Sequence, residues 1–163
     1  MVENILLQMV RYFGPDAKRI SHAFKVYGFA QSILAGEEPD AKTMLVTELA
    51  AILHDIGIKE AERKYNSSAG HFQEIEGPPI ARQILEQCGA DQEIIERVCF
   101  LVGHHHSYQE IDGIDFQILV EADFLVNIHE GFIKPDAAPS VVSKYFKTAT
   151  ARELALSVYG LKI

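Results

Sequence analysis

The chain has 163 residues, 48% of them hydrophobic, with 23 acidic against 15 basic side chains and a net charge of −8. That length suits one globular core burying roughly two-thirds of the unfolded surface, while the acidic excess argues against nucleic acid or an anionic membrane surface as partner. No apolar run approaches the ~20 residues of a membrane span, and two cysteines, Cys88 and Cys99, make no disulfide framework.

Residues 4–13 place Ile5, Leu6, Met9, Val10 and Phe13 at helical spacing, stopped by Gly14-Pro15. Asp16 is placed to cap a second helix, which presents Ile20, Phe24 and Tyr27 and runs to Gly36. Pro39-Asp40 opens a third, through Leu45, Leu49, Ile52, Leu53 and Ile56, closed by Gly57. Residues 58–73 are polar, with Asn66-Ser67-Ser68 and Gly70, and predict a mobile loop. Gly77-Pro78-Pro79 starts a fourth helix, since proline suits a first turn, and Gly89 ends it. Asp91 caps a fifth, from Ile94 to Val102, and a loop covers 103–115. A sixth helix runs from Phe116 to Gly131, and Pro135 and Pro139 separate it from C-terminal helices beginning near Ser140. No strand-like alternation, repeat or linker interrupts the pattern. The expected fold is all-α, seven or eight helices in one domain over residues 1–163. With Glu3 near the start and no small-residue cleavage site, a signal peptide is not expected, and the setting is expected to be cytoplasmic.

Four polar residues break the apolar pattern. Asp123 lies within the run Ile118 to Val126, sharing a helical face with Leu119, Val126 and Asn127, whereas Glu121 falls elsewhere and is free to face water. His22 falls in line with Val26, Phe29 and Ile33. His54-Asp55 closes the third helix. Singly, each has a plain reading: a satisfied core histidine, or a carboxylate at a wet helix end. A buried carboxylate, however, needs a cation or a metal. Taken together, His22, His54, Asp55 and Asp123 would aim nitrogen and oxygen from three helices at one interior point, and a divalent ion answers all four desolvation problems. Imidazole with carboxylate suits Mn, Fe, Co, Ni or Zn.

The order His22 … His54-Asp55 … Asp123, with the phrases LAAILHDIGIK, EIEGPPIARQIL and EADFLVNI, resembles the HD superfamily of metal-dependent phosphohydrolases over roughly residues 16–158. The resemblance implies an all-α fold, a divalent metal (Mn, Fe, Co, Ni, Zn or Mg) on those four residues, and hydrolysis of a phosphate ester of a small nucleotide or phosphorylated metabolite. Asp55 and Lys59 are then expected to carry the catalysis, with Lys59 and Arg63 contacting the phosphate and Lys64 and Arg82 as weaker candidates. Glu60 and Glu76 are possible water-orienting groups without an assigned role. One ion is expected. Some HD proteins hold a second with extra histidines, here His71 with His104 or His105 from the run His104 to His106, favoured in that order over His106. Tyr108, Glu110, Asp112 and Asp115 would form a rim. The chain lacks a Gly-Tyr-Pro motif after the pair, which disfavours a cyclic dinucleotide phosphodiesterase. Ile58-Lys59-Glu60 stands where alarmone hydrolases carry an acidic pair. A dinuclear-iron oxygenase and a non-catalytic metabolite- or protein-binding module are the alternatives.

Overall fold

Where the helices begin follows from side chains that take up free backbone N–H groups. The computed structural model describes residues 1–161. After α1 (Val2–Phe13), Asp16 accepts from Arg19 N at the start of α2 (Ala17–Glu37), and Asp40 accepts from Lys42 N and Thr43 N at the start of α3 (Ala41–Leu53). Then come α4 (Ile58–Tyr65), α5 (Gly70–Gln87), α6 (Gln92–Val102), a single 3-10 turn at Tyr108–Glu110, α7 (Ile114–His129), α8 (Ala138–Tyr145) and α9 (Ala149–Tyr159). The described residues hold no strand, as the sequence predicts, and no helix among them is long and apolar enough to cross a membrane.

The helix α7 is the axis of the bundle. Every residue from Asp115 to Val126 is buried, because α2 and α3 pack on it and α9 covers a further side. The helix α3 packs in turn on α1 and α6, and α5 lies across α6 and α4. One apolar cluster runs through these elements, including Met9, Val26, Leu49, Leu85, Leu101 and Leu119. Burial of such side chains, about 1.5–3 kcal/mol each, is what holds helices of this length together.

Three features depart from the sequence expectation. The third helix stops at Leu53, and residues 54–57 form a turn. The expected loop 58–73 holds α4 and the first turn of α5 instead. The helix α4 buries only Ala61, so its sequence carries little apolar signal, and Asn66 ends it in the left-handed region at φ 51°. The helix α5 begins at Gly70 and continues through Pro78 and Pro79, giving up the two backbone bonds that these residues cannot donate.

The third departure is Glu121, which does not face water. It is fully buried and accepts from Thr148 Oγ1 (2.5 Å), Thr148 N (3.0 Å), Gln117 Nε2 (2.8 Å) and Lys147 N. Because α7 is enclosed on all sides, the face opposite Asp123 meets the α8–α9 link, and the carboxylate ties that link down. Glu121→Ala would leave several buried donors unpaired, so a loss of about 3 kcal/mol in unfolding free energy is expected. Chemical denaturation checks this; a change under 1 kcal/mol contradicts the anchoring role.

Candidate metal centre

His54 and Asp55 reach one point because they do not sit on a regular helix, where successive side chains diverge by about 100°. They lie in the turn after Leu53, closed by Ile56 N donating to Leu53 O (2.9 Å) and Ile58 N to Asp55 O (3.0 Å). The turn is pressed onto α5. A Cβ on Gly57 would stand 2.5 Å from both Gln73 O and Gly77 N, and one on Gly77 would stand 2.6 Å from Val102 Cγ1. Only glycine permits that approach. The helix α2 brings His22 and α7 brings Asp123 to the same place, since α2, α3 and α7 pack pairwise.

The partners on the outer side of each ring set the tautomers. His54 Nδ1 is 2.9 Å from Ala51 O, so Nδ1 carries the hydrogen and Nε2 presents a lone pair. His22 Nδ1 is 3.0 Å from Glu130 Oε2, which turns its Nε2 inward. There His22 Nε2 stands 3.2 Å from His54 Nε2, 3.2 Å from Asp123 Oδ1 and 3.5 Å from Asp55 Oδ2. His54 Nε2 is 3.5 Å from Asp55 Oδ2 and 3.7 Å from Asp123 Oδ1. Four electron-pair donors crowd together with no group among them but a proton to hold them. Ligands at ~2.0–2.2 Å from an ion are separated by roughly 2.8–3.6 Å, a range that holds every one of these pairs but the 3.7 Å one, which lies just beyond it. Outer hydrogen bonds from each ring to a carbonyl or carboxylate are how ligating histidines are oriented. The residues fit a divalent ion.

Electrostatics agree. Burial lowers the affinity of His22 for a proton, but the hydrogen bond to Asp123 and the charge of Asp55 outweigh it and lift the pKa to about 9. Burial dominates at His54 and holds it below the ordinary value. Burial opposes ionisation of Asp55 and Asp123, yet the neighbouring imidazoles hold both carboxyls below their usual range.

A second group shares Asp55. Its Oδ1 is 3.4 Å from Nε2 of the buried His105, whose Nδ1 is 2.8 Å from Val102 O. His105 Nε2 and His106 Nε2 are both buried without a hydrogen-bond partner. Asp55, His105 and His106 offer ligand atoms that all lie within 4.8 Å of one another. Burial, then the neighbouring His105, push His106 down to about 4, so its ring is neutral near pH 7. This corrects the expected set of His71, His104 and His105. His71 is exposed and lies against Phe72. His104 turns back along α6, with Nδ1 2.7 Å from Phe100 O. A Cβ on Gly70 would fall 2.6 Å from the His106 ring, so this glycine makes the room that His106 occupies.

His22, Asp55 and Asp123 line a cavity of about 640 Å³, with His54 buried behind them, and Arg19, Tyr108 and Phe132 are among its walls. Lys59 and Arg63, the expected phosphate contacts, are not on its wall. Lys59 Nζ donates to Tyr12 O (2.8 Å) and lies over the Tyr12 ring, and Arg63 is held by Glu60 (2.7 Å). Lys64 is paired with Glu76 and Arg82 with Glu96. Asp112 and Asp115 grip Arg97 and fasten the base of the histidine loop, while Tyr108 alone of the expected rim residues lines the cavity. Sequence reading missed Arg19, whose signal was its place three residues before His22 on the same helical face, and Glu130, one turn beyond the α7 face of Asp123.

A family model described as HD domain matches residues 19–145, a span containing all four inward-facing donors. No curated protein and no solved structure matches the chain.

Before an ion binds, His22 keeps a proton up to a pKa of about 9. Binding must expel it from Nε2, so the apparent metal association constant should rise roughly tenfold per pH unit below pH 9 and level off above it. Calorimetric titration with Zn²⁺ or Mn²⁺ between pH 6 and 9.5 measures the slope; a flat profile contradicts the assignment of His22.

Proposed function

The chain belongs to the HD-domain family, and on that premise we propose that it is a metal-dependent hydrolase acting on a phosphate ester of a small nucleotide or phosphorylated metabolite. The observation that carries the reading is the convergence of four lone-pair donors, three of them lining a cavity large enough for such a ligand and His54 buried behind them. His22, His54, Asp55 and Asp123 would hold the ion. Such an ion supplies the positive charge and the acidification of water that phosphoryl transfer requires.

The chain's own side chains do the rest. The Glu130 carboxylate and the Ala51 carbonyl fix the two rings, so the centre needs little reorganisation. Arg19 is the wall's guanidinium, held at 2.6 Å by Asp16 and 2.5 Å by Glu62. In holding a phosphate it would exchange a singly charged carboxylate for a more highly charged acceptor of matching geometry. Apolar groups of the wall, Ile58, Phe124 and Ile133, limit the water around the ester. The two free cysteines are consistent with a cytoplasmic setting.

The Asp55–His105–His106 group favours a second reading, a two-ion centre with Asp55 as the shared carboxylate. Such a centre suits phosphodiester hydrolysis or, with iron, an oxygenase. A non-catalytic binding module would have no need to bury four such donors together.

Hydrolysis of a panel of mono- and diesters, read as released phosphate for the monoesters and as released alcohol for the diesters, with each of Mn, Fe, Co, Ni, Zn and Mg supplied, tests the proposal. Turnover is expected with at least one pair. Arg19→Ala should raise KM roughly tenfold to a hundredfold while metal content is unchanged. No hydrolysis of any ester with any ion contradicts the reading, and oxygen uptake by the iron-loaded protein would move it to the oxygenase.

A further inference from the structure

Phe132 is 63% exposed, the highest value among the large apolar side chains of the described residues, yet it lines the cavity above the metal centre. It is not there by the drift of a loose turn. Gly131, at φ 80°, reverses the chain after α7, and Ile133 N then donates to Asn127 O at 3.1 Å. Asn127 Nδ2 in turn donates to Asp123 Oδ2 at 2.9 Å. The turn bearing Phe132 is therefore fastened to a residue of the metal floor. Lys18 Nζ stands 5.3 Å from the ring centroid, and Tyr108 and Phe124, 5.0 Å apart, line the same cavity. Phenylalanine has no polar atom, so its exposed ring offers a ligand one thing, a flat apolar face.

The charge of the walls makes a second selection. Among the described residues five carboxylates line the cavity against two cations, Lys18 and Arg19, and one of the five, Glu130, is paired from behind with Lys25 at 2.7 Å. Arg19 already has both Asp16 and Glu62 as partners. One divalent ion offsets most of the acidic excess and can serve one phosphate. A second or third phosphate would extend along walls that carry Asp16 and Glu62, where like charges repel it.

We infer that the cavity selects a singly phosphorylated ester whose organic part is a planar ring, and that Phe132 is the specificity-determining residue that stacks on that ring. The inference rests on the hydrolase reading and narrows its substrate class. The phosphate lies at the floor, and the ring lies under Phe132 at the mouth.

The test uses phosphonate probes, in which carbon replaces every bridging oxygen, between sugar and phosphorus and, in the triphosphate analogue, between the phosphorus atoms, so that none turns over; they are titrated calorimetrically into the metal-loaded protein. The probes are the monophosphonate analogue of adenosine 5′-monophosphate, the same phosphonate of ribose without the base, and the corresponding triphosphate analogue. Base stacking on an aromatic ring corresponds to roughly tenfold to a hundredfold in affinity. The adenosine monophosphonate should bind at least tenfold more tightly than the ribose phosphonate and than the triphosphate analogue. Phe132→Ala should remove most of the first preference and leave the ribose phosphonate within about twofold; the exposure of Phe132 makes this variant tolerable to the fold. An unchanged preference in Phe132→Ala, or tighter binding of the triphosphate analogue, overturns the inference and leaves the hydrolase reading standing. Binding of none of the three probes likewise overturns the inference, and the hydrolase reading is then decided by the ester panel.

Discussion

Two imidazole nitrogens and two carboxylate oxygens, all acceptors in the tautomers that Ala51 and Glu130 impose, meet beneath the protein surface, each nitrogen 3.2–3.7 Å from the other nitrogen and from both oxygens. Such a cluster repels itself unless a cation, a proton or a metal ion, stands among the four. The surrounding fold is arranged to maintain that confrontation. Three helices that pack pairwise deliver the groups from separate directions, so no single helix can relax to relieve it. The raised pKa of His22 is the same fact in titration terms: with no metal ion, a proton takes the place of the positive charge.

The site is thus continuous with the packing. The His54-Asp55 turn takes its position from the bare backbone contact of Gly57 with α5, and α5 is fixed in turn by the fit of Gly77 against Val102. The helix α7 can carry an ionisable residue at its centre because Asp123 faces the donors on one side while Glu121 is satisfied by the α8–α9 link on the other. Arg97, held by Asp112 and Asp115, closes the base of the histidine loop and so supports His105 and His106. The two carboxylate oxygens of Asp55 face the two groups of histidines, which makes this one side chain the hinge between a one-ion and a two-ion centre.

Much of this was legible in the sequence, and the reasons are particular. His22, Asp55 and Asp123 stood out because each interrupts an apolar helical stripe, and a stripe that tolerates an ionisable residue must supply it with a partner. Glu121 deceived because helical spacing gives an angle and not the identity of what packs there. The helix α4 escaped notice because a two-turn helix burying one alanine has almost no apolar period. Pro78-Pro79 was read as a helix start because that is where proline costs least. His106 in place of His104 depended on the turn at residues 103–106, and adjacent histidines differ in direction only through such a turn. Lys59 stands near Asp55 in sequence, but its ammonium is held at the end of α1 by Tyr12, and Arg19 takes the position on the wall.

The most direct test of the central claim is the metal content per chain, measured by elemental analysis on protein purified without a histidine tag and reloaded with each divalent ion in turn. The account predicts one or two equivalents of at least one ion in the wild type, and loss of the floor ion in His54→Ala and Asp123→Ala with the helical circular dichroism spectrum retained. Failure of the wild type to bind any ion, or full retention of metal in both variants, would contradict it.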